Sequence, residues 1–80
     1  MLALHRLLTK HGFCRMTSDK AAVWIRGLIV VRRYKREVTF TNCRQAPPRH
    51  RTFRLPQDES TIIDFVEKGE YNRGYKRANW

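Results

Sequence analysis

The residues best suited to do chemistry in this chain are cations placed beside aromatic rings. The segment Arg32–Phe40, RRYKREVTF, sets four cationic side chains around one tyrosine, and Arg49–Arg54, RHRTFR, sets three arginines and a histidine around one phenylalanine. Guanidinium groups bind phosphate through paired donors, and nucleobases stack on aromatic rings. Both segments therefore predict contacts with a nucleic acid.

Alternation along an extended strand divides these side chains between two faces. A hairpin turn near Lys35-Arg36 would gather cations at its tip, and Arg49, Arg51 and Phe53 would share one face of a strand. We expect the cations to neutralise phosphates and the two rings to stack on bases. The predicted nucleic-acid-binding residues are Arg32, Arg33, Tyr34, Lys35, Arg36, Arg49, Arg51, Phe53 and Arg54.

The carboxyl-terminal segment 71–80 also combines rings with cations. Trp80 ends it, and an indole in a flexible tail is typical of a side chain that anchors a protein interface. The predicted partner-binding residues are Tyr75, Arg77 and Trp80.

The charge of the whole chain supports an anionic partner. The net charge is +10, whereas about 2–8 in magnitude suffices to keep a small domain soluble. Residues 1–57 hold 13 lysines and arginines against two acids, and residues 58–70 hold one lysine against five acids. RNA or flexible single strands are favoured over duplex DNA, because the first helix offers only Arg6 and Lys10 as exposed cations and no base-reading face.

Other chemistries find less support in the sequence. Four residues could be considered as zinc ligands: His11, Cys14, Cys43 and His50. The six residues between Cys43 and His50, however, fit no common zinc finger. The histidines form no recognisable catalytic arrangement, and the chain has no glycine-rich phosphate loop and no acidic cluster for magnesium. We therefore predict a binding module without enzymatic activity, metal or cofactor.

Hydrophobic periodicity predicts the elements that position these residues. A helix over Leu2–His11 ends at Gly12, and a second helix, capped by Asp58 or Ser60, ends before Gly69. Between them lie segments of strand character: Phe13–Thr17, Ala21–Ile25, Leu28–Tyr34, Glu37–Cys43 and, as a candidate edge strand, Thr52–Leu55.

Two local alternatives concern the middle of the chain. A helix across residues 21–34 is disfavoured because β-branched residues dominate the segment. Gly27 either forms a hairpin turn with Arg26 or a bulge in one long bent strand. Asn42–His50 is expected to be an exposed loop, because Pro47-Pro48 cannot join a sheet ladder.

The apolar residues of these elements predict one core. Trp24 is expected inside it, together with Val38 and Phe40 of the clearest strand, and Cys14 and Cys43 are expected to be small buried hydrophobes. The second helix is expected to bury Ile62, Ile63, Phe65 and Val66.

The predicted fold is α+β: an N-terminal helix, a three- or four-stranded antiparallel meander and a second helix, in two layers. One domain spans 1–70, and 71–80 is a basic flexible tail. The element order, with Leu7-Leu8 and then His11-Gly12-Phe13 leading into a strand, is similar to the double-stranded-RNA-binding-like fold of HicA toxin nucleases over the first half of the chain. Those toxins carry their essential histidine in a Gly-Ser-His-like stretch where this chain has Lys20-Ala21-Ala22, so the resemblance implies a fold and not ribonuclease activity.

The same composition supports a second class of function. The cations would equally steer the domain onto an acidic protein surface, as in a phage or mobile-element inhibitor of a nucleic-acid enzyme, or a ribosome-associated subunit. No membrane partner is expected, since apolar runs such as Ala21–Ile25 and Leu28–Val31 are far too short to cross a bilayer. We expect a cytoplasmic location. An organellar matrix is the alternative, because residues 1–18 contain basic residues and no acid, as a transit peptide would.

Overall fold

The computed structural model of the 80-residue chain describes residues 2–17, 21–44 and 46–72. Two helices and five strands follow one another, with a short 3₁₀ helix at the end. The elements are α1 (Leu2–Lys10), β1 (Cys14–Met16), β2 (Ala22–Arg26), β3 (Ile29–Arg33), β4 (Glu37–Asn42), β5 (Arg49–Arg54), α2 (Glu59–Glu67) and the 3₁₀ helix Glu70–Asn72.

The strands form one antiparallel sheet in the order β1-β2-β3-β4-β5. The predicted helix, meander and second helix are confirmed, and the meander has five strands instead of three or four. β5 begins at Arg49, which pairs with Asn42, and so starts three residues before the predicted Thr52. The predicted loop Asn42–His50 is shorter than expected, because Asn42, Arg49 and His50 belong to strands and only residues 43–48, which include Pro47-Pro48, connect β4 to β5.

The pairing of strands around Gly27 distinguishes between a hairpin and one long bent strand. β2 and β3 pair in register from Ala22↔Arg33 to Arg26↔Ile29, which leaves Gly27-Leu28 as a two-residue turn. Gly27 has φ +57 while Leu28 does not have a positive φ, the pattern of a type II′ turn. The hairpin is confirmed, with Gly27-Leu28 in its turn instead of the predicted Arg26-Gly27, and the long bent strand is wrong.

Both helices cover the same face of the sheet, which we call the helix side. Trp24, Val31 and Phe40 point to this side and are 1%, 0% and 0% exposed. The rest of the core comes from both layers: Leu4, Leu8, Phe13, Ile29, Val38, Phe53, Leu55, Ile62, Phe65, Val66 and Tyr71. Trp24, Val38 and Phe40 are therefore buried as predicted, and in α2 only Ile63 of the four predicted residues is half-buried.

Glycines end both helices where the sequence predicted. Gly12, with φ +85, follows α1, and the Phe13 N–H donates to the carbonyl of Leu8 over 3.0 Å. Gly69, with φ +66, follows α2. A positive φ costs glycine little, so the chain can change direction at the end of each helix.

Four details differ from the predictions. Cys14 and Cys43 are exposed and not buried, because β1 is an edge strand and Cys43 follows the end of β4. Asp58 occupies the N-cap position of α2, as predicted, but its side chain makes no capping hydrogen bond and its Oδ2 accepts the backbone N–H of Arg54 over 2.8 Å, while Ser60, the alternative cap, lies inside the helix. Tyr71, placed in the tail by the sequence, is 2% exposed.

The predicted partner-binding residues Tyr75, Arg77 and Trp80 lie outside the described residues. Within the described part of the chain, no helix combines the length and the apolar character needed to cross a membrane.

Candidate functional site

Cations gather where the β3–β4 hairpin turns. The Tyr34 N–H donates to the carbonyl of Glu37 over 2.7 Å and closes the turn, so that Lys35 and Arg36 lie exposed at its tip. The Leu55 N–H donates to the carbonyl of Arg36 over 2.8 Å, which fixes the end of β5 beside the same turn. Segments distant in sequence are therefore joined at one end of the sheet.

A surface pocket of about 650 Å³ lies at this end. Among the described residues that line it, four are cationic (Arg33, Lys35, Arg36 and Arg54) and one, Glu37, is acidic. With Arg32, the residue before Arg33 in β3, these cations form what we call the hairpin-end cluster: Arg32, Arg33, Lys35, Arg36 and Arg54. Two acidic residues at the start of α2, Asp58 and Glu59, follow Arg54 of the cluster closely in the sequence.

The cluster wraps around the end of the sheet because neighbouring residues of a strand point to opposite faces. Arg33 pairs with Val38 on the helix side, whereas Arg32 pairs with Thr39 on the opposite face. The Nε of Arg33 is buried and has no hydrogen-bond partner within the described part of the chain.

The second basic run is divided differently from the prediction. Arg49, Arg51 and Phe53 share one face, as alternation predicted, but the register places that face on the helix side. Phe53 is 3% exposed, and its ring meets Phe40 and Phe65 edge-on at 5.8 and 5.2 Å between centroids. A ring buried in this way offers no face to a base, so Phe53 is a core residue and not a stacking site.

Arg51 covers the same aromatic cluster from outside. Its guanidinium carbon lies 5.0 Å from the centroid of Phe53 and 5.7 Å from that of Phe65, within the range of cation–π attraction. Arg49 is half-exposed at the start of β5. Of the nine predicted binding residues, the structure thus brings six together at the hairpin end, and Arg49, Arg51 and Phe53 lie on the helix side of β5.

The sheet has a second face, which we call the open face, on which no described helix packs. Its residues alternate with those of the core. They are Cys14, Met16, Val23, Ile25, Val30, Arg32, Tyr34, Glu37, Thr39, Thr41, His50, Thr52 and Arg54.

The open face is mostly apolar on β1–β3, where Arg32 is the charged exception, and polar on β4 and β5. Tyr34, 42% exposed, and Met16, 47% exposed, lie on it. The polar side chains are paired with one another: Thr39 with Thr52 at 3.2 Å, and Thr41 with the Nδ1 of His50 at 2.9 Å. Sequence reasoning did not identify this face, although the alternation of Val23, Ile25 and Val30 with core residues carries the signal.

The surroundings of His5 disfavour its charged form. Burial lowers the pKa of His5, and the positive charges of Arg33, the amino terminus and Arg15 lower it further. Its ring packs on Trp24 with 4.7 Å between centroids, and Arg15 lies over the same indole at 5.3 Å. The Nε2 of His5 is buried and finds no hydrogen-bond partner among the described side chains.

The posed zinc ligands are not brought together as a set. Cys14 lies in β1 and His50 in β5, the two opposite edge strands of the sheet. Across the described ranges, no group of three or more histidine, cysteine or acidic residues is placed to hold a metal ion.

Comparison of the chain with protein-family models, with curated proteins and with solved structures found no match. The HicA toxin nucleases are among the families that these comparisons do not connect to the chain.

Proposed function

We propose that this domain is a non-enzymatic nucleic-acid-binding module that holds the sugar-phosphate backbone at the hairpin-end cluster. The observation that carries the proposal is the convergence of four cations around one pocket of about 650 Å³ from two separate segments of the chain. A polyanion is the partner that such a site fits best.

Electrostatics explains why the cluster favours a polyanion over a single small anion. Five like charges held at one end of a small domain repel one another, and each bound phosphate relieves part of that repulsion. Arginine forks bind phosphate oxygens in pairs, and Lys35 adds a mobile point charge. Release of condensed counterions from a nucleic acid adds to the affinity.

The helices make groove reading of duplex DNA the less suitable mode. α2 carries Glu59, Asp64 and Glu67, whose carboxylates would repel phosphates. α1 is only nine residues long and uses Leu4 and Leu8 for the core. RNA or single strands bound mainly through phosphates fit the domain better.

Charge reversal with a matched control tests the proposal. Fluorescence anisotropy would measure binding of labelled single- and double-stranded RNA and DNA to the chain, to Lys35→Glu/Arg36→Glu and to Arg44→Glu/Lys68→Glu. Both pairs are exposed and change the net charge equally, but the control pair follows the ends of β4 and α2, opposite the hairpin end. We expect the first pair to weaken binding by about tenfold or more and the control to weaken it much less.

Two results would overturn the proposal. One is the absence of nucleic-acid binding by the unaltered chain at low salt, where phosphate contacts are strongest. The other is an equal loss of affinity in both variants, which would mean that net charge and not the hairpin end is responsible. Circular dichroism of each variant would establish that the fold is retained.

A protein–protein modulator is the second candidate, and the exposed apolar side chains of Met16 and Leu28 favour it. The hairpin-end cluster would then steer the domain onto an acidic patch, such as the nucleic-acid site of an enzyme. A purified acidic enzyme domain that is bound after nuclease treatment, while oligonucleotides are not bound, would support this candidate. In either role the exposed thiols of Cys14 and Cys43 fit a reducing compartment, the cytoplasm or an organellar matrix.

A further inference from the structure

We infer that the open face is a platform for the unpaired bases of a single strand whose phosphates lie in the hairpin-end cluster. This inference rests on the proposed function and adds the part of the nucleic acid that the sheet recognises. Tyr34 is the ring on which a base stacks, and the apolar half of the face receives the bases beyond it.

Exposed apolar surface concentrates on this face. The large hydrophobic side chains that are exposed in the described residues are Met16, Leu28 and Tyr34, at 47%, 53% and 42%. Met16 and Tyr34 belong to the open face, and Leu28 lies in the β2–β3 turn at its border. Apolar surface grouped on one face of a small domain marks an interaction site.

Charge identifies the occupant. Arg32 lies on the open face two residues from Tyr34, opposite Val23 on one side and Thr39 on the other. Arg54 lies at the end of β5, where its strand partner is Glu37. The apolar half therefore contains Arg32 of the hairpin-end cluster, with Arg54 of the same cluster across the sheet at the end of β5, and an occupant must offer flat apolar groups and anions together.

A single strand offers both groups, and a duplex does not. In a duplex the base faces are stacked on each other, so the apolar half of the open face would meet only sugars, phosphates and base edges. In a single strand each base has a free π-face for an aromatic or apolar side chain, while its phosphate stays in a basic groove. The open face fits the single strand.

The polar half of the face indicates how the bases are held. Thr39 and Thr52 bond to each other at 3.2 Å, and Thr41 bonds to His50 at 2.9 Å. Side chains already paired with one another are poor readers of base edges, so stacking carries the contact. Stacking is tolerant of sequence, and we expect little preference among bases.

Substitution of Tyr34 tests the platform. The probes are a mixed-sequence single-stranded RNA of about 12 nucleotides, an abasic single strand of equal length, and the corresponding duplex. Tyr34→Ala is expected to weaken binding of the single-stranded RNA between about 5-fold and 150-fold, the range of one base–aromatic stack. Tyr34→Phe, which keeps the ring, should restore it, and binding of the abasic strand should not change.

Thiol protection gives a second measurement that needs no change on the platform. Cys14 lies on the open face, opposite Ile25, and is exposed. In a Cys43→Ser chain, bound single-stranded RNA should slow alkylation of Cys14 several-fold, whereas inorganic polyphosphate, which has no bases, should leave the rate unchanged.

The outcomes separate this inference from the proposed function. If polyphosphate, duplex and single strand bind equally and Tyr34→Ala has no effect, the hairpin-end cluster binds polyanions but the platform is wrong. If Cys14 is already protected in the free protein and the chain is a dimer that Tyr34→Ala dissociates, a second copy occupies the face and the platform is wrong. If no polyanion binds at all, both proposals fail together.

Discussion

His5 is the residue whose titration the fold controls. Its ring lies on Trp24 at 4.7 Å, and its buried Nε2 has no hydrogen-bond partner within the described ranges. Burial first, and then Arg33, the amino terminus and Arg15, lower the pKa of His5 from 6.5. Protonation of His5 would add a positive charge close to these cations, which would repel it.

This lowered pKa predicts a loss of stability in mild acid. Between the lower folded pKa and 6.5, the unfolded chain binds a proton that the folded chain does not. The free energy of unfolding therefore falls as the pH drops below 6.5 and levels off below the folded pKa. His5→Gln should lose this component, as measured by urea unfolding at about pH 7.5 and pH 5.

His50→Gln is the control for this experiment. His50 lies on the open face, on the opposite side of the sheet from His5 and Trp24. Its variant should keep the acid response of the unaltered chain. An identical pH response in His5→Gln and the unaltered chain would show that His5 does not couple to folding.

The two aromatic rings of the basic runs show what a sequence pattern can and cannot predict about a residue. Alternation correctly placed Arg49, Arg51 and Phe53 on one face. It does not say which face the helices cover, because that depends on the side to which α1 and α2 pack. Phe53 is therefore buried while Tyr34 is 42% exposed, although both stand among arginines in the sequence.

At the scale of elements, the 3₁₀ helix Glu70–Asn72 packs at the end of the sheet opposite the β3–β4 hairpin. The ring of Tyr71 meets Phe13 edge-on at 5.1 Å, and its hydroxyl accepts a hydrogen bond from Arg26. Its carbonyl accepts the Nδ2 of the fully buried Asn42 over 3.4 Å. One residue thus joins α1–β1, β2 and β4 to the carboxyl-terminal part of the domain.

Removal of the Tyr71 ring should therefore destabilise the whole domain. Tyr71→Ala is expected to lower the free energy of unfolding by about 3–5 kcal/mol, as for other large buried rings, which is a large share of the stability of a small domain. Tyr71→Phe, which loses only the hydroxyl contact, should lower it by about 1 kcal/mol. Urea unfolding would measure both.

A chain ending at Asn72 provides the companion test. Because this chain keeps Tyr71 and its contacts, we expect its urea midpoint to lie above that of a chain ending at Glu70, which loses them. A folded Tyr71→Ala variant with an unchanged midpoint would show that the 3₁₀ helix is not part of the cooperative unit.

The elements themselves were largely predictable, and the misses have physical causes. Alternation and glycine positions predicted α1, the β2–β3 hairpin, β4 and both helix ends. The start of β5 and the inclusion of Tyr71 were missed, because both depend on partners distant in sequence: β4 for Arg49 and Phe13 for Tyr71. Local propensity carries no information on such contacts.

At the scale of the whole molecule, the charges are arranged unequally. The hairpin end holds five cations of the cluster, α2 holds Glu59, Asp64 and Glu67, and further cations such as Arg44 and Lys68 lie after the ends of β4 and α2. A net charge of +10 alone would predict diffuse attraction of any polyanion. The proposed site instead requires that a defined set of cations contacts phosphates.

Salt dependence distinguishes the defined set from diffuse attraction. If the five cations of the cluster contact phosphates of a single strand, the logarithm of the association constant should fall with the logarithm of salt concentration with a slope of about −3.5. Lys35→Gln/Arg36→Gln should make the slope shallower by about 1.4. Tyr34→Ala should weaken binding and leave the slope unchanged, because stacking releases no counterions. Arg44→Gln/Lys68→Gln should alter neither the affinity nor the slope.

Anisotropy titrations at four or more salt concentrations would measure the slopes of the unaltered chain and of the three variants. A slope that changes as much in the Arg44/Lys68 pair as in the hairpin pair would show that the positive charge acts as a whole and that no part of the surface is a distinct phosphate site.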